Sequence, residues 1–344
     1  MAALRYFSQK ILNKHIKLPA KVQLNSVFVL QNRLKSTFQY DNTKDPAPLF
    51  FNKQIQDLLY TLTRVDLSKV YSKRKQGTSH LAQPVYKFMT DDQLQEAIQE
   101  AKDAVKDLIQ MPPVVMPRVP IDTILSKDPA LQGMDTAKFV FTDITYGISN
   151  ADRLIIVRDL DGTLKKVDWD VRDRMNQVYF PLPGREIRMP KMFEEHNLKS
   201  LLDRGEYVFI LDRACLQFEP DDPEYHRITE ATYLYVNEHD GFKALRSTRH
   251  FGPLSFYLCW FKMCDNLLME LLETGTIGEA ICLVKLYTQM HKITLEGEDD
   301  MLVENYIKEH ASKRGALELA LQAFRELDRE RRQLEEGIKV AHGH

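Results

Sequence analysis

Two kinds of residue cluster in this 344-residue chain have the composition to do chemistry. The first is Asp159-Leu-Asp161-Gly162-Thr163-Leu164, directly after the apolar run Leu154-Ile-Ile-Val157. Two carboxylates in one turn serve phosphoryl transfer only with a Mg²⁺ ion, because bare carboxylates repel a phosphoryl group. The second kind is basic. Lys73-Arg74-Lys75 lies close to Tyr71, and Arg246-Ser-Thr-Arg249-His250-Phe251 combines two Arg, two hydroxyls and an aromatic. Lys313-Arg314 precedes the last helical pattern. Such clusters suit phosphate backbones, with Arg as a fork and hydroxyls as auxiliary donors. These seven basic residues are the candidate RNA contacts, and the alternative at each is a solvated or internally salt-bridged side chain.

The acidic motif resembles the first motif of the haloacid-dehalogenase-type phosphatases. In that family the first Asp is the nucleophile and the second the general acid/base, which would assign those roles to Asp159 and Asp161. The surrounding elements argue otherwise. Such a motif belongs at a strand end leading into a helix, on a parallel sheet whose ligands gather at the carboxyl ends of the strands. Here a second strand-like run, Thr163-Leu-Lys-Lys-Val167, follows, and Asp161-Gly162 is a hairpin turn signal. No later series of Val/Ile-rich strands alternates with helices. The expectation is a turn with solvated acids, with a Mg-dependent phosphatase kept as an alternative. No P-loop, Gly-x-Gly-x-x-Gly or Gly-x-Ser-x-Gly is present, and His226, His239, His250 and His291 are scattered singly. The reading is of a non-enzyme with no cofactor, no metal and no small-molecule substrate.

The elements that must position these clusters fall into blocks. A helical pattern covers residues 50–65, and a second begins at the capping box Thr90-Asp-Asp-Gln93 and stops before Met111-Pro-Pro113. Lys138-Phe-Val-Phe-Thr-Asp-Ile-Thr-Tyr146 reads as a strand, the hairpin follows, and residues 170–179 form a short helix. From residue 192 onward almost everything reads as helix. Strands and helices in separate blocks predict an α+β fold, predominantly α, with a small β-containing module followed by an irregular helical C-terminal domain. The expected organisation is a leader at 1–37, an extended helical N-terminal arm at 38–135, a β-hairpin/α module at 136–190 and a helical domain at 191–344. Residues 253–272 read as one helical stripe, in which Cys259 and Cys264 point about 140° apart and cannot share a metal. With Cys215 and Cys282 they read as core thiols. The last helix, 315–336, turns highly charged past Phe324, as a solvent-bridging arm or a partner helix would.

The first forty residues hold seven Lys/Arg and no Asp or Glu. With helix-spaced Leu4, Phe7 and Ile11 they have the make-up of a mitochondrial transit peptide, since an inside-negative membrane potential draws a cationic helix inward. Without them the balance of 47 Lys/Arg against 49 Asp/Glu becomes 40 against 49, close to −9. That charge excludes broad wrapping of nucleic acid, which is driven by Lys/Arg neutralising phosphates. Contacts with RNA are expected to be local, and most of the surface to face other proteins. The most apolar stretch contains Lys262, Asp265, Asn266 and Glu270, too many polar groups for a membrane span.

Five blocks carry a wider resemblance: Met111-Pro-Pro-Val114 with Arg118-Val-Pro-Ile121; Lys138-Phe-Val-Phe-Thr-Asp-Ile144 with Tyr146; Arg172-Asp-Arg-Met175 leading to Gln177-Val-Tyr-Phe-Pro181; Gln217-Phe-Glu-Pro-Asp221; and Leu245-Arg-Ser-Thr-Arg249 with Phe251-Gly252. In this order and spacing they resemble the family of the animal mitochondrial small-ribosomal-subunit protein numbered twenty-two, over roughly residues 84–290. The resemblance implies a non-catalytic, mitochondrion-specific component of the small ribosomal subunit in the matrix. Its implied partners are neighbouring ribosomal proteins and small-subunit rRNA, with no membrane. A free helical adaptor is the remaining alternative. The family supplies no catalytic residues, and the seven basic candidates come from the residues alone.

Overall fold

The computed structural model describes residues 45–71, 86–134, 136–297 and 300–341. The expected leader and Lys73, Arg74 and Lys75 lie outside the described residues. The fold is predominantly helical with one small sheet, the α+β class expected. In chain order the longer elements are α1 (Lys53–Thr63), α2 (Asp91–Leu108), β1 (Ile124–Lys127), β2 (Phe139–Thr142), β3 (Ile155–Arg158), β4 (Thr163–Lys166) and α3 (Trp169–Tyr179). Then come α4 (Glu195–Asp203), α5 (Tyr207–Gln217), α6 (Pro223–Glu238), α7 (Phe251–Trp260), α8 (Asp265–Glu273), α9 (Ile277–His291), α10 (Asp300–Glu309) and α11 (Arg314–Ala341).

Local chemistry fixes several boundaries. Thr90 Oγ1 accepts from the Gln93 backbone N–H while Gln93 Oε1 accepts from the Thr90 backbone N–H, so the capping box that starts α2 closes reciprocally. The strands pair antiparallel in the order β1-β4-β3-β2. Ile155, Val157 and Val167 are buried on one side of this sheet against Val171 and Met175. The β2 edge strand exposes most of its residues.

The expected single helix at 253–272 is broken in two. Lys262 adopts φ 57°, the Met263 N–H reaches back to the Leu258 carbonyl at 2.8 Å, and the Lys262 N–H to that of Cys259 at 3.2 Å. This pair of bonds is a Schellman closure, ordinarily built on Gly. A lysine in the left-handed position hid it from a reading based on glycine and proline. The break also corrects the bearing of the two cysteines: Cys259 and Cys264 are free thiols that come within hydrogen-bonding reach of each other in the core, and Cys264 Sγ lies 3.0 Å from Tyr306 Oη. Burial pushes the Cys259 thiol well up. Among the described residues no three His, Cys, Asp or Glu side chains gather to hold a metal.

One large core runs from Phe50, Ile55, Leu59 and Leu62 through α4–α10 to Leu317 and Leu321. Helix α1, although it precedes the sheet by sixty residues, packs on α7 and α9 as part of that core. The sheet and α3 carry a separate, smaller cluster.

Candidate nucleic-acid and protein interfaces

The acidic motif occupies the β3–β4 hairpin. The Asp159 N–H donates to the Thr163 carbonyl at 2.9 Å, and the Gly162 N–H to that of Asp159 at 3.1 Å. Asp161 accepts both the backbone N–H and the hydroxyl of Thr163, at 3.0 and 2.9 Å. Asp159 is clamped between Lys138 Nζ at 2.9 Å and Lys165 Nζ at 3.0 Å. These lysines hold its carboxyl below the ordinary range, and the bonds to Thr163 do the same for Asp161. Gly162 has φ +79°, and a Cβ there would lie 2.1 Å from the Asp128 carbonyl oxygen. The two acids serve a tight antiparallel turn. The strand-to-helix arrangement on a parallel sheet that a nucleophilic aspartate requires is not the one found.

The basic cluster at 246–250 faces inward. The guanidinium of Arg246 is the hub: Nη1 donates to the Leu62 carbonyl at 2.6 Å and to Glu279 at 3.2 Å, and Nη2 donates to Glu270 at 2.7 Å. Its guanidinium carbon lies 4.1 Å from the Phe251 ring centre. The residue is 7% exposed, so the fork expected to meet an RNA phosphate is spent on two carboxylates and a helix-end carbonyl. Its neighbour Ser247, at φ 58°, donates its N–H to the Thr63 carbonyl and its hydroxyl to the Arg64 carbonyl, and accepts the Asp66 N–H. Arg64 in turn bonds Glu279 through Nε and Nη2. The segment clasps the C-terminal end of α1 to the helical core.

Arg249 and His250 converge on Asp212, with Arg249 Nη2 at 2.8 Å and His250 Nε2 at 2.9 Å from Oδ1. Burial pushes the Asp212 carboxyl up, but His250 and Arg249 outweigh it and hold it below the ordinary range. Arg249 retains a part-exposed side chain, 37% of it accessible. Lys313 and Arg314 stand exposed at the start of α11. Lys313 Nζ donates to Asn266 Oδ1 at 2.6 Å. The adjoining Ser312 and Lys313 backbone N–H groups donate to Asp265 Oδ2 at 2.8 and 2.9 Å. The buried Asp265 thus serves as a remote cap for the last helix.

Composition alone missed a second arginine system, between the sheet module and the helices. Arg118 Nη2 bridges Asp173 at 2.9 Å and Asp222 at 2.8 Å, and its guanidinium carbon lies 4.8 Å from the Trp169 ring centre. Burial raises the carboxyls of both acids against the opposing pull of Arg118. Arg153, 2% exposed, gathers the carbonyls of Asp143, Thr145 and Ile148. A cleft of about 550 Å³ beside Arg118 is bordered by Trp169, Arg172 and Glu219. Arg118 through Asp222 and Arg185 through Glu219 tie the sheet module to the helices, while Arg172 is spent on the Asn150 and Ala151 carbonyls within the module. The open surface is apolar instead: Phe139, Val140 and Phe141 of β2 are 41, 38 and 49% exposed, and Ile124 and Leu125 of β1 are also exposed. Such edges invite other chains unless covered.

The family model for mitochondrial 28S ribosomal protein S22 matches residues 48–292, a span that includes the clasp, the hairpin and the arginine seam. The chain belongs to this family. It is 36% identical over 301 residues to small ribosomal subunit protein mS22 of Bos taurus, covering 85% of the chain and 83% of the relative. The same protein of Mus musculus is 36% identical over 304 residues, covering 86% and 83%. The family description agrees with the mitochondrial small-subunit location implied by the sequence resemblance. The matched span stops at 292, so α10 and α11 lie beyond the S22 family model.

Proposed function

We propose that the chain is a non-catalytic structural component of the mitochondrial small ribosomal subunit, acting in assembly and mitochondrial translation by binding neighbouring ribosomal proteins and, locally, rRNA. Membership of the S22 family across 48–292 is the observation that carries this reading. The acidic balance of the chain beyond the leader and the exposed apolar edge at Phe139–Phe141 support protein neighbours over extensive RNA contact. The RNA share falls to few side chains. Lys313 and Arg314 are exposed and Arg249 is part-exposed, while Arg246 is assigned here to the internal clasp. Lys73, Arg74 and Lys75 remain proposed contacts on their sequence alone.

Gradient sedimentation of a tagged copy from mitochondrial lysate tests the reading, with small-subunit rRNA probed in each fraction. Co-migration with that rRNA, lost when RNase dismantles the subunit, is the expected result. Migration at monomer size would refute it. Retention of protein partners after complete RNase digestion, with no rRNA association before it, would favour a free adaptor. Mg²⁺-dependent phosphoester turnover lost in Asp159→Asn would favour the phosphatase.

A further inference from the structure

Helix α11 begins as a core helix and ends as an exposed one. Leu317 is fully buried, and Ala320 and Phe324 pack against the main core. The same alternation of three- and four-residue steps continues through Leu327, Arg331, Leu334 and Ile338. Here it meets solvent: Leu327, Leu334 and Ile338 are 65, 66 and 54% exposed. At 1.5 Å per residue, the part beyond Phe324 runs for about 25 Å. A solvated arm has no reason to keep a core-type seam in register.

The positions flanking the seam are acidic. At 100° per residue, Glu330 flanks it on one side and Asp328 and Glu335 on the other, while the far face mixes Arg325, Arg329 and Arg332 with Glu326 and Glu336. Asp328, with 24% of its side chain exposed, is bonded by Arg332 at 2.7 Å, and the exposed Glu335 by Arg331 at 3.5 Å. In heptad terms Leu327 and Leu334 take d, Arg331 and Ile338 take a, and Asp328, Glu330 and Glu335 take the e and g positions that choose partners.

We infer that the distal half of α11 is a coiled-coil docking stripe for an amphipathic helix of a neighbouring protein, one with a leucine-type seam flanked by Lys/Arg. A second copy of this chain does not fit: a parallel pairing would set Glu330 against Glu335 of the other copy, acid against acid. Arg331, the one charged residue inside the seam, fixes the register. The inference deepens the proposed role in holding ribosomal proteins, but it rests on residues beyond the family match.

The test measures binding of the full-length chain to two synthetic heptad-repeat helices, both with Leu at a and d, one with Lys and one with Glu at e and g. The Lys-flanked helix is expected to bind about tenfold tighter, from several exposed charge pairs acting together, and the preference should shrink as salt rises. Leu327→Ser/Leu334→Ser should abolish binding while leaving thermal melting unchanged, since both side chains are exposed. Equal binding of the two helices, undiminished binding by the double variant, or self-association through α11 would overturn the inference. The assay needs no ribosome, so a chain that binds the Lys-flanked helix yet fails to sediment with rRNA would sink the ribosomal reading and leave this one standing.

Discussion

Arg246 Nη2 stands 2.7 Å from Glu270 Oε2, with 9% of the arginine side chain and 19% of the glutamate exposed. The pair joins the segment before α7 to α8, and through the Leu62 carbonyl it reaches the end of α1. An ion pair so placed is costly to break from one side, because the surviving charge stays buried without a partner. Arg246→Ala should therefore lower unfolding free energy by about 3 kcal/mol. Denaturant titration against the parent chain checks this. Unchanged stability together with reduced subunit occupancy would instead return Arg246 to the surface-anchor role suggested by its composition.

Gly162 gives a second stability prediction with a built-in control. Its φ of +79° is shared by Gly133, but a Cβ at Gly133 meets nothing within 4 Å, whereas one at Gly162 would strike the Asp128 carbonyl. Gly133→Ala should cost about 1 kcal/mol for the backbone conformation alone. Gly162→Ala should cost more, about 3 kcal/mol, because β1 and the hairpin turn must also separate. Comparable denaturation midpoints for the two variants would show that the turn yields freely.

What the sequence made legible was local. The Thr90–Gln93 box, the Asp161-Gly162 hairpin and the helix after Asp168 each rest on interactions within a few residues. What it left hidden depends on distance. Arg246 has the composition of a phosphate fork, and nothing nearby in sequence discloses that Glu270 and Glu279 await it across the helical core. Asp265 sits in an apolar stripe, and only the start of α11, more than forty residues on, brings two N–H groups to it. Lys262 closes a helix in a conformation usually left to glycine, so the break between α7 and α8 carried no compositional mark.

Asp212 sets a pH dependence. Its folded-state carboxyl lies below the ordinary range because His250 and Arg249 outweigh the effect of burial. A depressed acid contributes stability that is fully present above its unfolded pKa of about 3.9 and is lost as pH falls through the folded value. Asp212→Asn should thus melt lower than the parent at pH 6 to 7. The gap should close as the solution turns strongly acid and pH falls through the folded value of Asp212. A gap that still widened below about pH 4, where the His250 imidazole is already charged, would mean that the carboxylate is not the stabilising form.

The last prediction concerns the cap on α11. The first N–H groups of a helix have no partner inside it, and here the approach to the helix at Ser312 and Lys313 is satisfied by a carboxylate from α8. Asp265→Ala removes that acceptor while Leu317 and Leu321 still hold the helix on the core. The loss should be about 1–2 kcal/mol, the range for cap removal. Its signature should be local: amide hydrogen exchange should speed up at 312–316 while the amides of α7 and α9 keep their protection. Asp265→Asn retains a carbonyl acceptor and should recover part of the loss. If exchange rose equally throughout the core, Asp265 would be acting as a packing residue of α8 and not as the cap that starts the last helix.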